Sequence, residues 1–159
     1  MKLCELDKDS PHWPEAELMF AAMYGEFARM GQQLALAEDE ARRWCASMRK
    51  LSGRFVYLPV LVDGERLAGF LQASTALLPD YYAQSRAGSI AHLYIHPDYR
   101  KQGQARELVR AALEWFRKNR VDTVELQVLS GNAPAQQFWK ACGFSLELAQ
   151  YRMRLAPEA

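Results

Sequence analysis

Several features that would place this chain in a specialised class are missing from its 159 residues. No apolar run approaches the roughly 20 residues that span a membrane, and no signal peptide opens the chain. The net charge of +1 gives no reason to expect nucleic-acid binding, which usually needs a clustered basic face. We therefore expect one globular domain over residues 1–159, located in the cytoplasm and binding neither membranes nor nucleic acid.

Cysteine is scarce. The three cysteines, Cys4, Cys45 and Cys142, are far apart and include no C-x-x-C pair. An odd number at such spacing predicts reduced thiols and no metal site. Cys142 has no evident histidine or acidic partner, so a thiol of the core is favoured over a nucleophile that carries an acyl group.

The common phosphate-binding loops are missing as well, because no predicted strand is followed by G-x-x-x-x-G-K-[ST] or G-x-G-x-x-G. Residues 90–113 nevertheless indicate an anion site. They begin with a β-branched and aromatic strand, which Pro97 and Asp98 end. From Gln104 the apolar residues recur at spacings of three and four, which predicts a helix.

Gly103 stands between that strand and that helix and allows a turn closed to residues with a Cβ. The free N–H groups of the helix N-terminus, the positive end of its dipole and two basic neighbours suit a di- or triphosphate. A plain glycine turn between a strand and a helix is the alternative interpretation.

The remaining periodicity predicts the element order β-α-α-β-β-β-α-β-α-β, a mixed α/β (α+β) sheet flanked by helices. Asp63-Gly64 is a hairpin signal between strands at 55–62 and 66–75. A strand is predicted at 121–129 and a short helix at 133–141. The last strand, 145–155, is followed by a tail at 156–159; its apolar residues are Leu146, Leu148, Tyr151, Met153 and Leu155.

Two motifs resemble the GNAT superfamily of acyl-CoA-dependent N-acetyltransferases. Arg100, Gly103 and Ala105 match the acyl-CoA signature of that family. Residues 132–144 match a second block, in which an Asn and an Ala precede an aromatic pair and a Gly-Phe. The resemblance implies the same element order over nearly the whole chain, with acetyl-CoA and an amine as the two partners and no metal.

In that family the central strand splays from the next one, and the pantetheine arm lies in the gap. The resemblance implies that backbone groups around Tyr94 bind the pantetheine amides and that the turn at Gly103 binds the pyrophosphate. The cofactor-binding residues that it implies are Leu93, Tyr94, Ile95, Arg100, Lys101, Gln102, Gly103, Gln104, Ala105, Arg106, Asn132, Phe138 and Trp139.

The resemblance places His92 where many relatives carry an acidic residue, and its ordinary pKa near 6.5 suits a base for the amine. A histidine that is bonded within the sheet or lines the acceptor pocket is the alternative. Trp139 stands where relatives usually carry a tyrosine close to the cofactor sulfur. Indole cannot deliver a proton usefully, so we expect Trp139 to wall the site while water or Tyr94 protonates the thiolate.

The leading hypothesis is an acetyl-CoA-dependent N-acetyltransferase that acts on a primary amine of a small molecule or peptide by direct attack in a ternary complex. The alternative is a non-catalytic acyl-CoA-binding or sensor module of the same fold. A purely structural domain would leave both motifs without a role. The acceptor amine and the choice between monomer and homodimer stay open.

Overall fold

A mixed sheet of six strands forms the centre of the protein in the computed structural model, which describes residues 1–155. The predicted tail at 156–159 lies outside the described residues. The strands are β1 (Lys2–Glu5), β2 (Val56–Tyr57), β3 (Pro59–Asp63), β4 (Arg66–Leu77), β5 (Arg86–Ile95) and β6 (Val124–Leu126). Their order is β1-β3-β4-β5-β6, with β2 paired to the far end of β4.

Four helices flank the sheet. They are α1 (Trp13–Arg29), α2 (Glu40–Leu51), α3 (Gln104–Lys118) and α4 (Ala133–Ala141). One apolar cluster, which includes Trp13, Phe20 and Trp44, joins α1 and α2 to the sheet. A second cluster, which includes Phe116 and Trp139, joins α3 and α4 to the sheet. The predicted mixed α/β class is confirmed.

The hairpin predicted at Asp63-Gly64 is present, with Asp63 of β3 opposite Arg66 of β4. The strand predicted at 55–62 is divided, because Val56 and Tyr57 pair with Ser74 and Ala73 whereas β3 pairs further along β4. The strand predicted at 121–129 is formed only over Val124–Leu126.

The strand predicted at 145–155 is wrong, because no strand is formed there. Alternating apolar residues favour an extended chain, but a strand also needs a partner backbone, and β6 ends at Leu126. A hydrogen bond of 3.1 Å between Gln127 Nε2 and Gln150 Oε1 joins residues 145–155 to the chain just after β6. Its five large apolar side chains stay between 77 and 93% exposed.

A β-bulge at Ala91 decides which face of the sheet the middle of β5 presents. Ala73 pairs with Ile90 and the preceding Gln72 pairs with His92, so Ala91 is the extra residue. A bulge of this kind interrupts the alternation of side chains between the two faces. Ile90 therefore packs on the α3 face, whereas His92 and Tyr94 both point to the α1 face.

Candidate active site

β5 and β6 pair over only part of β5, as the gap that the resemblance implies would require. The two parallel strands pair only from Gly88 to Ile90, opposite Val124 to Leu126. From His92 to Ile95, β5 pairs with β4 on one side and with no strand on the other within residues 1–155. The free edge of a strand offers N–H and C=O groups to an extended amide such as pantetheine.

The turn after β5 has the geometry expected of an anion site. Pro97–Tyr99 form a short 3-10 turn, and Gly103, with a φ of 91°, immediately precedes α3. A Cβ added at Gly103 would meet nothing within 4 Å, so the space above the turn is open. Lys101, Gln102 and Arg106 are exposed around it. Gln104 and Ala105 are half-buried at the start of α3.

Arg100, the first residue of the signature, points away from this turn. Its guanidinium lies 2.7 Å from Glu26 Oε1 on α1, and its Nε donates to the carbonyl of Ile95 at 2.9 Å. The guanidinium also lies 5.2 Å from the centre of the Tyr94 ring. The structure therefore gives Arg100 a position between the first helix and the central strand rather than beside the open turn.

Tyr94 belongs to the same group. Its hydroxyl donates to Glu26 Oε1 at 3.1 Å, and burial, followed by the charge of Glu26, raises the pKa of this phenol. Tyr94 thus keeps its proton at neutral pH, and that proton is bonded to a carboxylate. Leu93 and Ile95 point to the opposite face, where they join the α3 cluster.

The second motif forms α4 and the loop before it. Asn132 caps the helix, since its Oδ1 accepts from the Ala135 N–H at 3.2 Å. Trp139 is 8% exposed and packs edge-to-face against Phe138 and Phe144, with ring centres 5.0 and 5.3 Å away. Its indole N–H has no hydrogen-bond partner in the described part of the chain and is not fully buried. Trp139 is therefore packed among aromatic rings, with an indole N–H that donates to no residue within 1–155.

His92 lies in a chain of hydrogen bonds that crosses the α1 face. Its Nδ1 is 2.8 Å from Gln72 Oε1, which also accepts from Trp44 Nε1 at 2.8 Å. Its Nε2 is 2.9 Å from the hydroxyl of Tyr24. Burial lowers the pKa of His92 to about 4, so the ring is neutral at pH 7. The pKa of His92 thus lies below the ordinary value near 6.5, because α1 and α2 cover this position.

Four further polar residues of this face belong to no motif in the sequence: Tyr24, Glu26, Trp44 and Gln72. A signal existed for two of them. Tyr24 follows Phe20 by one helical turn and so shares its apolar stripe. Gln72 is the one polar residue in the apolar run from Leu67 to Ala73. The contacts of Tyr24 and Gln72 with His92 depend on the bulge at Ala91. No local sequence pattern predicts that bulge.

Tyr24 also forms part of the wall of a pocket of about 350 Å³ at the end of α1. The other wall residues are Ala28, Gln32, Gln33, Leu34, Ala35 and Leu36. None of these side chains is charged. The wall of this pocket is therefore uncharged and partly apolar.

Two other kinds of chemistry find no support in the described residues. No three His, Cys, Asp or Glu side chains within 1–155 are placed to hold a metal ion. Burial raises the pKa of Cys142, and burial raises that of Cys45 to about 11, so neither thiol is activated as a nucleophile.

Among residues 1–155, none of the helices combines the length and the apolar character that a membrane span requires.

The gap beside β5, the open glycine turn and the second motif can be set beside a comparison of this chain with known proteins. The model of the acetyltransferase (GNAT) family matches residues 11–144. The chain belongs to the GNAT acetyltransferase family. A comparison with curated protein sequences gives no match.

Solved structures share the fold. A mutant of the BH1408 protein from Bacillus halodurans superposes with a TM-score of 0.83 at 17% identity, covering 98% of this chain and all of that one. An aminoglycoside acetyltransferase, meta-AAC0020, from an uncultured soil metagenomic sample, solved with sisomicin, gives 0.71 at 16% identity, covering 98 and 96% of the two chains. Aminoglycoside N-acetyltransferase AAC(6')-Iy, solved with a bisubstrate analogue of CoA and acetylneamine, gives 0.74 at 14% identity, covering 97 and 98%.

Proposed function

We propose that the protein is an acetyl-CoA-dependent N-acetyltransferase that transfers an acetyl group to a primary amine by direct attack in a ternary complex. The observation that carries the proposal is the unpaired edge of β5 from His92 to Ile95, which leads into the open turn at Gly103. A strand edge followed by a helix N-terminus suits a ligand that is a diamide at one end and a pyrophosphate at the other.

Within this proposal, backbone groups of Leu93, Tyr94 and Ile95 bind the pantetheine arm. The amides from Gln102 to Arg106 bind the pyrophosphate, and Lys101 and Arg106 add positive charge. Arg100 acts by fixing the end of β5 through its bonds to Ile95 and Glu26. Asn132 holds the start of α4, and Phe138 and Trp139 form the wall on that side.

In this proposal the amine binds on the α1 face of the sheet, to which the side chains of His92 and Tyr94 point. Neither ring nitrogen of His92 is free to contact an amine directly, because Gln72 and Tyr24 occupy them. We therefore propose an indirect role for His92, developed below. Tyr94 retains its proton and lies on the unpaired stretch of β5, so its hydroxyl is one candidate to protonate the leaving thiolate. Water is the other, because a thiolate is stable enough near neutral pH to wait for a proton from solvent.

The fold supports an amine acceptor, since relatives of the same architecture are solved with sisomicin and with an acetylneamine conjugate of CoA. The three cysteines are free within residues 1–155, which supports a reducing compartment such as the cytoplasm. The uncharged pocket at Tyr24 favours an acceptor with fewer charges than an aminoglycoside.

Two measurements test this function. Isothermal calorimetry with CoA should show saturable binding, and release of free thiol from acetyl-CoA should depend on an added amine from an unbiased panel. Binding of CoA without amine-dependent thiol release over the whole panel would instead favour the acyl-CoA-binding module. Absence of CoA binding would reject both.

A further inference from the structure

The hydrogen bonds across the α1 face have one possible direction. An indole N–H can only donate, so the Gln72 atom that lies 2.8 Å from Trp44 Nε1 is the amide oxygen. That same oxygen lies 2.8 Å from His92 Nδ1 and can only accept. His92 Nδ1 therefore carries a hydrogen, which fixes the tautomer of the ring.

The direction continues to Tyr24. In the neutral ring with a hydrogen on Nδ1, Nε2 has a lone pair and no hydrogen. The Tyr24 hydroxyl, 2.9 Å from Nε2, must then be the donor of that bond. Its only hydrogen is committed to His92, and its oxygen lone pairs are left to accept. The rings of Phe20 and Trp44, whose centres lie 5.2 and 6.3 Å from that of His92, keep the imidazole in this orientation.

We propose that the oxygen of Tyr24 accepts a hydrogen bond from the acceptor amine and that His92 is the positioning residue that makes this oxygen an acceptor only. This assignment rests on the proposed function. Tyr24 lies both beside His92 of β5 and in the wall of the uncharged pocket. The geometry thus assigns an amine on an uncharged, partly apolar body as the class of acceptor.

The reaction balances with Tyr24 in this role. One N–H of the neutral amine stays bonded to Tyr24 while the nitrogen lone pair attacks the thioester carbonyl. The C–N bond forms and the C–S bond breaks, which leaves the CoA thiolate. The proton lost from nitrogen passes through solvent to that thiolate, so that the products are the amide and the thiol of CoA.

The tautomer is measurable without any substrate. Two-dimensional NMR of the full chain labelled with ¹⁵N-histidine should show His92 at pH 7 as the neutral ring protonated on Nδ1, with Nε2 as hydrogen-bond acceptor. His92→Asn assigns the signal by its disappearance. A hydrogen on Nε2, in either a neutral or a charged ring, would make His92 the donor to Tyr24 and overturn the inference.

Kinetics test the role of the oxygen. Tyr24→Phe should lower kcat/KM for the amine about tenfold, the loss expected when one hydrogen bond to the substrate is removed, and leave the affinity for CoA unchanged. Tyr57→Phe is the matched control, because Tyr57 is a half-buried tyrosine on the α3 side of the sheet, stacked on Trp115. It should retain the activity of the parent.

A double-mutant cycle separates positioning from direct contact. His92→Asn keeps a donor for Gln72 but offers no nitrogen lone pair to Tyr24, so it should also lower kcat/KM. Tyr24→Phe/His92→Asn should be no slower than Tyr24→Phe alone, since His92 acts through Tyr24. Additive losses, or a Tyr24→Phe variant as active as the parent, would overturn the inference while leaving the proposed function intact. A parent that turns over no amine would reject both.

Discussion

The side chains of Glu26 and Arg100 join the first helix to the end of the central strand, with 2.7 Å between Glu26 Oε1 and a terminal nitrogen of Arg100. The same carboxylate oxygen accepts from Tyr94. A charge-assisted pair of this kind, shared with a third group, holds its members more strongly than an isolated surface ion pair does. The first residue of the acyl-CoA signature is therefore bound to α1.

This arrangement predicts that Arg100 contributes more to stability than to CoA affinity. Arg100→Gln should lower the free energy of unfolding by about 1 kcal/mol, because Glu26 loses a charged partner. The affinity for CoA should change less than threefold by calorimetry. Arg110→Gln removes an exposed pair with Glu114 on α3 and is the matched control, with little effect on either quantity. A tenfold loss of CoA affinity in Arg100→Gln would show that the guanidinium binds the cofactor.

The turn at Gly103 predicts the opposite pattern. Gly103→Val places a β-branched residue at a φ of 91° and adds a side chain to the open space above the turn. If the pyrophosphate binds there as proposed, CoA affinity should fall at least tenfold. Gly53→Val imposes similar backbone strain at a φ of 75°, also in open space, but lies between α2 and β2. Both variants should lose about 1–3 kcal/mol of stability.

Calorimetry with CoA distinguishes the two effects, since only the Gly103 variant should bind weakly. If Gly103→Val folds and binds CoA as tightly as Gly53→Val does, the pyrophosphate site lies elsewhere on the protein.

The local patterns predicted the parts of the fold that depend on neighbouring residues alone. The Asp63-Gly64 hairpin, the start of α3 at Gln104 and the glycine turn before it follow from turn chemistry and apolar spacing. The strand at 145–155 could not be judged in this way, because pairing depends on a partner edge. The lowered pKa of His92 could not be predicted from the sequence either, because it results from burial beneath helices that are distant in sequence.

Substitutions of Trp139 distinguish a role of its aromatic ring in shaping the site from a role of its indole N–H as a hydrogen-bond donor. Trp139→Phe keeps an aromatic wall and removes the free indole N–H, so kcat should change less than tenfold, although the buried position should lose about 1–3 kcal/mol of stability. Trp139→Tyr introduces a hydroxyl at the place where relatives carry one and should preserve or raise turnover. A loss near a thousandfold in Trp139→Phe, with CoA affinity intact, would show that the N–H stabilises the transition state.

The pKa of His92 predicts a pH dependence of stability. An unfolded histidine has a pKa near 6.5, whereas that of folded His92 is lowered to about 4 by burial. Between these values the unfolded chain binds more protons than the folded one, so the free energy of unfolding rises with pH. The contribution is complete above pH 6.5, decreases as the pH falls towards 4, and amounts to at most about 3 kcal/mol over this window.

Urea denaturation of the parent and of His92→Gln, at intervals from pH 4.5 to 7.5, measures this contribution. Glutamine does not titrate, so the difference in unfolding free energy between the two proteins should change by about 2 kcal/mol or more across the window, with the parent losing more stability in acid. Parallel curves for the parent and His92→Gln would mean that His92 titrates alike in both states, and the ring would then not be buried in solution as it is here.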